Sequence, residues 1–251
     1  MNISKRVKKG WQISAQGYSG FIKEELNNYQ RDIWTKLILE HAPSKEKMYI
    51  LDVGTGPGFF AIILTISGHH VVGIDLTEEM IQCANMNAQQ EGVSPEFIVM
   101  DSQNLSFEEE TFDIVISRNV VWTLTRPQDA YRDWLRVLKK GGRLLVFDAD
   151  WLRDCRDPVF KKQLEKDKKE YTRVYGSPKV SYSDPKKARG WRTSLPLALE
   201  QRPEWDLKTL ELLGYHNISS TFISEQVYNQ AKLLLYRSVP MFMIRGDKLS
   251  K

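Results

Sequence analysis

The sequence is poor in the residues that staple chains or cage metals: it has two cysteines and four histidines in 251 residues. Cys83 and Cys155 lie far apart and in no C-x-x-C arrangement, which excludes a disulfide framework and a zinc cluster. Two plain thiols and no metal are expected. No apolar run approaches the roughly 18 residues of a membrane-spanning helix. The early Lys5, Arg6, Lys8 and Lys9 are followed by Trp11-Gln12-Ile13-Ser14-Ala15-Gln16-Gly17, which is no hydrophobic core of a signal peptide. A soluble, cytoplasmic chain without membrane association is expected. A hydrophobic content of 41% and a charged content of 27% are ordinary for a globular protein, so disorder is excluded as well. Internal repeats and low-complexity tracts are missing.

Two nucleotide motifs are also missing. The phosphate loop needs a Lys after its glycines, and the dinucleotide fingerprint needs a third glycine where this chain has Phe59. What is present is Leu51-Asp52-Val53-Gly54-Thr55-Gly56-Pro57-Gly58, between an apolar run at 48–53 and a short apolar helix at 59–66. Glycine accepts backbone angles closed to other residues and, without a Cβ, lets a ligand lie against the main chain. Strand, glycine turn and helix are the layout of a nucleotide site.

The same alternation continues. Residues 70–75 read as a second strand ending in Asp75, near the spacing at which a carboxylate reaches ribose hydroxyls in a βαβ unit. Thr77 is a candidate N-cap for a helix that places Met80, Ile81, Ala84 and Ala88 inward and ends before Gly92. Residues 96–100 form a third strand followed by Asp101-Ser102, and residues 112–117 a fourth followed by Arg118-Asn119 and a short helix with Trp122. A helix at 128–140 is expected to stop at Gly141-Gly142, and residues 143–147 form a fifth strand ending in Asp148-Ala149-Asp150-Trp151. Five strands alternating with helices predict an α/β, doubly wound, Rossmann-like sheet, with ligands beyond the carboxyl ends of its strands.

Around this core, residues 20–41 carry an amphipathic stripe read as one helix closed by Pro43, preceded by an aromatic lead-in at 11–20. That lead-in either folds over a ligand or packs on the helix that follows. A charged helix at 158–175 and a loop rich in Gly, Pro, Ser and Lys interrupt the pattern. Further on come a helix from 203 to 213, a strand at 216–223, a helix at 226–236 and a strand at 241–245. The organisation expected is an N-terminal helical lid (1–45), a cofactor-binding core (46–152), a basic insertion capping the substrate (153–202), and a C-terminal helix and last strands completing the sheet (203–251). The net charge of +4 is uneven, since residues 161–192 hold eleven Lys and Arg against four acidic residues. Such a patch suits an anionic partner or a solvated face.

LDVGTGPG, the Asp of GIDLTEEM, MDSQNL, FDIVISRN and LKKGGRLLVFD, in this order, make the chain resemble a class I S-adenosylmethionine-dependent methyltransferase of the small-molecule, quinone-methylase-like (type 11) group. The resemblance covers residues 25–150 well and the C-terminal strands more loosely. It implies a seven-stranded sheet whose last strand is antiparallel, with S-adenosyl-L-methionine as cofactor and S-adenosyl-L-homocysteine as product. Asp52, Gly54, Thr55, Gly56 and Gly58 would line the methionine end, Asp75 would hold the ribose, Leu76 would pack on the adenine, and Asp101 with Ser102 would contact its edge. Arg118 and Asn119, at the end of the fourth strand, complete the expected cofactor wall. RNxxWTL at 118–124, FDADW at 147–151 and LPL…RPEWD at 195–206 resemble segments of a less defined bacterial methyltransferase set, which names no substrate.

Transfer from a sulfonium is an in-line displacement that asks mainly for alignment and desolvation. A base is needed only for a protonated hydroxyl or ammonium acceptor, and the candidates are Asp148, Asp150 and Tyr18, with His41 behind them. Trp11, Tyr18, Trp122 and Trp151 are expected to wall the substrate pocket, and carboxylates beside tryptophans suit an amine or hydroxyl acceptor. An RNA methyltransferase using residues 161–192 and a non-catalytic cofactor-binding regulator are the competing readings. The fourth strand ends in Ser-Arg-Asn-Val, without the [DNS]-P-P-[FY] of base-amino methylation, and no Pro-Cys nucleophile occurs, which argues against nucleic acid. A monomer or homodimer acting on a small molecule is expected.

Overall fold

The computed structural model describes residues 2–177 and 191–250. Seven strands form one sheet in the order β3-β2-β1-β4-β5-β7-β6. They are β1 (Tyr49–Val53), β2 (His70–Asp75), β3 (Glu96–Val99), β4 (Phe112–Arg118), β5 (Leu138–Ala149), β6 (His216–Phe222) and β7 (Met241–Asp247). Among the described strands β7 alone runs opposite to the other six, as the resemblance implies. The helices are α1 (Ile3–Leu26), α2 (Gln30–His41), α3 (Phe59–Ile66), α4 (Glu78–Gln90), α5 (Pro127–Val137), α6 (Arg153–Arg156), α7 (Pro158–Tyr175), α8 (Glu204–Leu213), α9 (Ser224–Val227) and α10 (Gln230–Leu235).

Side chains alternate across a strand, and two cores result. Leu51, Val53, Val72 and Val115 point to the face that buries Tyr131 and Trp134 of α5. Ile50, Ile114, Ile116 and Phe147 point to the other, with Phe59, Phe60 and Trp34. Complete burial of each such side chain contributes about 1.5–3 kcal/mol. No helix among the described residues is long and apolar enough to cross a membrane.

Four local expectations are corrected. Residues 11–20 are not a lead-in loop but the middle of α1, whose start is capped by Asn2 accepting from the Ser4 amide. Gly17 and Gly20 disfavour a helix by about 1 kcal/mol each, but they lie on the outer face while Val7, Ala15, Ser19 and Ile22 pack inward. The helix expected at 20–41 is two helices, because the chain turns at residues 27–29, where the Asn28 side chain accepts from the Gln30 amide at 2.8 Å. α5 stops at Val137, before Gly141-Gly142, and those glycines serve a register shift inside β5. A Cβ on Gly142 would stand 2.7 Å from the Lys139 carbonyl oxygen, so glycine is needed there. The helix expected at 226–236 is the pair α9 and α10. Of the basic segment, residues 178–190 lie outside the described residues. α7, which precedes them, buries Phe160 and Asp167 and turns most of its lysines to solvent.

Candidate active site

The turn between β1 and α3 takes left-handed angles at Gly54 (φ 66°), Gly56 (φ 54°) and Gly58 (φ 91°). The Thr55 amide donates to the Ile74 carbonyl at 2.8 Å, locking the turn against β2. Asp52, at the end of β1, is buried and accepts from the Thr55 hydroxyl at 2.6 Å and the Ala61 amide at 3.1 Å. Burial pushes its carboxyl up to about 6 despite those two donors. The glycines have separate reasons. A Cβ on Gly54 would lie 2.4 Å from Val120 Cγ2 and one on Gly58 3.0 Å from Phe97, whereas Gly56 faces the Tyr18 ring of α1 at 3.3 Å.

Asp75 ends β2 and is half-buried. Its Oδ2 accepts from the Gly56 amide at 3.2 Å, and its Oδ1 from the Thr77 amide and hydroxyl, each at 2.9 Å. Burial raises its carboxyl and these donors oppose the shift. Leu76 beside it is half-buried. After β3, Asp101 accepts from the Gln103 amide and side chain at 3.0 Å, and the Ser102 carbonyl accepts from the Trp134 indole at 2.8 Å. The Gln103 side-chain oxygen in turn accepts from the Thr125 amide at 3.0 Å, fastening the loop after β3 to that after β4.

At the end of β4, Asn119 takes φ 59°, a left-handed angle that Asn tolerates better than most residues. Its side-chain oxygen accepts from the Trp151 indole and its carbonyl from the Trp122 indole, both at 3.0 Å. Trp122 meets Trp11 edge-on at 6.3 Å and stacks on Trp191 at 6.1 Å, and Trp11 is 6.2 Å from Tyr18. Tyr18, Ile22, Asp52, Gly54, Thr55, Phe59, Phe60 and Arg118 line one pocket.

The structure moves the two candidate aspartates away from that pocket's mouth. The Asp148 side chain is fully buried and receives Arg202 Nη1 at 2.7 Å, with the Ala149 amide at 2.9 Å. Arg202 holds Asp206 as well, and Asp206 accepts from the Tyr131 hydroxyl at 2.6 Å. Asp150 is paired with Arg156. Neither carboxylate is an exposed base beside the tryptophans, because each is engaged by an arginine. His41 is remote too: its carbonyl accepts from Arg143, near the opposite end of β5. Burial raises the Tyr18 phenol, although Arg118 opposes the shift, so Tyr18 is a neutral hydroxyl near pH 7.

Four residues of this region escaped sequence reasoning: Glu25, Lys232, Tyr228 and Tyr236. Arg118 Nη2 lies 2.9 Å from Glu25 Oε2, and Lys232 Nζ 2.9 Å from Glu25 Oε1. The available signal was a glutamate set in the apolar stripe of Ile22 and Leu26.

These features coincide with what comparison finds. A family described as "Methyltransferase domain" matches residues 51–146. The uncharacterised methyltransferase YcgJ of Bacillus subtilis is 27% identical over 161 residues, 59% of this chain and 63% of that protein. The ubiquinone/menaquinone biosynthesis C-methyltransferase UbiE of a Ruegeria strain is 31% identical over 124 residues, 48% of this chain and 50% of that one. The chain thus spans about half to two thirds of these relatives. In structure, Haemonchus contortus phosphoethanolamine N-methyltransferase 2 with S-adenosylhomocysteine superposes with a TM-score of 0.60 at 16% identity, over 86% of this chain and 52% of that one, a likeness of fold. The sheet and its glycine turn are those of a class I, S-adenosylmethionine-dependent methyltransferase, and residues 51–146 match the methyltransferase domain of that family. The cofactor of this class is S-adenosyl-L-methionine.

Proposed function

We propose that the protein transfers a methyl group from S-adenosyl-L-methionine to a small-molecule acceptor by in-line displacement. The observation that carries this reading is that Asp52, Gly54 to Gly58, Asp75, Asp101 and Arg118 converge at the carboxyl ends of four adjacent strands. The residues fit the cofactor, since the left-handed turn lets a ligand approach the main chain and a carboxylate ends β2 where ribose hydroxyls would lie. When bound, the cofactor supplies an electrophilic methyl on a sulfonium. Asp75 holds the ribose hydroxyls, Leu76 packs on the adenine, Asp101 and Ser102 meet its edge, and Asp52, Gly54, Thr55, Gly56, Gly58, Arg118 and Asn119 form the wall at the methionine end.

Tyr18, Trp11, Trp122 and Trp151 exclude water and orient the acceptor, a hydroxyl or amine compound. A neutral Tyr18 phenol donates a hydrogen bond to the acceptor. Asp148 and Asp150 are not assigned a proton, because Arg202 and Arg156 hold them. Residues 1–45 act as a lid and residues 153–202 as a cap. Calorimetric titration with S-adenosylhomocysteine, followed by a turnover screen of hydroxyl and amine acceptors, tests the reading. Absence of cofactor binding would sink it.

A further inference from the structure

α1 lies along the glycine turn and over the start of α4. Tyr18 and Ile22 of this helix line the same pocket as Asp52, Gly54 and Thr55, and a Cβ on Gly56 would meet the Tyr18 ring at 3.3 Å. Trp11 and Ala15 pack with Met80 and Cys83 of α4, in a cluster that Tyr18 joins. The Gln12 amide donates to both Glu79 oxygens, at 3.1 and 3.2 Å, in the first turn of α4. That turn begins just after Asp75 and its partner Thr77, so α1 covers the ribose end of the site as well as the methionine end. One buried side chain ties the helix to the glycine turn itself. Asn87 of α4 donates to the Pro57 carbonyl at 2.9 Å and lies 3.3 Å from the Ser19 hydroxyl. Ser19 hydrogen-bonds the Cys83 thiol as well.

The middle of α1 is a poor helix by itself. Ser14, Gly17, Ser19 and Gly20 crowd it, all ranking below alanine and the glycines furthest below. The Ser14 hydroxyl bonds back to the Gly10 carbonyl at 2.9 Å, a contact that competes with the helix ladder. An element held by packing more than by its own propensity is the kind that opens locally. Its last turn is different, because Glu25 is gripped there by Arg118 and Lys232. We propose, building on the methyl-transfer reading, that α1 is the gate of the cofactor site. S-adenosylmethionine enters, and its product leaves, only when the helix between Trp11 and Ile22 lifts from α4 about its anchored end, and the seated helix retains whichever of the two is bound.

The test staples the gate shut in the full chain and follows tritiated S-adenosylhomocysteine. A natural protein that does not bind this probe loses the methyl-transfer reading and the gate together. Ser19→Cys sets a second thiol against Cys83, so diamide should join α1 to α4 by a disulfide and dithiothreitol should free them. The reduced variant is expected to bind the probe within about two-fold of the natural protein. Oxidised while empty, it should take up the probe at least about 100-fold more slowly; oxidised while loaded, it should release the probe at least about 100-fold more slowly. Dithiothreitol should restore both rates. The natural protein, with Cys83 and Cys155 alone, should not respond to diamide. Ala15→Cys, whose thiol would enter the same cluster as Cys83, repeats the experiment should Ser19→Cys fail to fold. Uptake or release at the reduced rate by a chain whose disulfide is established by mass spectrometry would overturn the gate and leave methyl transfer standing. An equal slowing of the natural protein by diamide, or failure of both variants to crosslink, would do the same.

Discussion

Arg202 Nη1 lies 2.7 Å from Asp148 Oδ2, joining the end of β5 to the residue pair that introduces α8, with both side chains almost wholly out of solvent. The same arginine grips Asp206 through Nε at 2.8 Å and Nη2 at 2.9 Å. The end of β5 is thus held from behind the cleft. Asp148 Oδ2 also sits 3.4 Å from the Trp122 amide, so the pair supports the short turn carrying that indole.

Asp148→Asn should therefore act on stability more than on chemistry. It leaves Arg202 with one carboxylate instead of two in a buried site, a change expected to lower unfolding free energy by about 3 kcal/mol. Asp150→Asn weakens a partly buried pair whose side chains are 15% and 17% exposed and should cost less, about 1–2 kcal/mol. Urea denaturation of both variants, read beside turnover, checks this. A stable Asp148→Asn protein without turnover would return Asp148 to the role of base.

Neighbouring glycines should respond differently to substitution. Gly54→Ala forces a Cβ into Val120 at a left-handed φ and should destabilise the fold by about 2–4 kcal/mol. Gly56→Ala carries the backbone penalty, about 1–2 kcal/mol, and a mild crowding of the Tyr18 ring at 3.3 Å. Gly56→Leu should abolish S-adenosylhomocysteine binding while the far-ultraviolet circular dichroism stays native. Unaltered calorimetric affinity would remove Gly56 from the cofactor wall.

Asp75 and Thr77 offer a paired comparison. Asp75→Ala removes the carboxylate assigned to the ribose, and loss of charge-assisted hydrogen bonds worth about 1.5–3 kcal/mol each predicts a fall in cofactor affinity of about 10- to 100-fold. Thr77→Ala removes a helix cap and should cost about 1 kcal/mol of stability with little change in affinity. Equal affinity losses in the two variants would mean that Asp75 acts only by shaping the turn.

Asp52 sets a pH dependence of definite sign. Its folded-state value of about 6 lies above the ordinary aspartate value, so the folded chain binds this proton more tightly than the unfolded one. The stabilisation is complete below about pH 4 and is lost as pH rises through about 6. Relative to Asp52→Asn, the natural protein should lose about 2–3 kcal/mol across that window. Parallel denaturation curves at pH 4.5 and 7.5 measure the difference, and a constant gap between the two proteins would show that burial does not shift this group.

Asp75 with Thr77, the glycine turn and the strand ends were legible because each is written within a few consecutive residues. The Gly54, Thr55, Gly56 and Gly58 run, the cap at Thr77 and the bounds of α3, β2 and α7 follow from local geometry. What was illegible depends on distant partners. Asp148 reads as a mouth carboxylate until Arg202, 54 residues later, is brought to it. Lys232 lies 207 residues from Glu25, and nothing local announces that they meet. α1 differs from the expected lead-in for the same reason, since its glycines argue for a loop and its packing, chiefly on α4 and also on α2 and α3, makes the helix worthwhile.

The Glu25 carboxylate, in the last turn of α1, ties together Arg118 at the end of β4 and Lys232 of α10. One buried side chain thus fastens the first helix of the chain, the middle of its sheet and a helix near its end, so that any shift of the end of α1 is felt in both of the other elements.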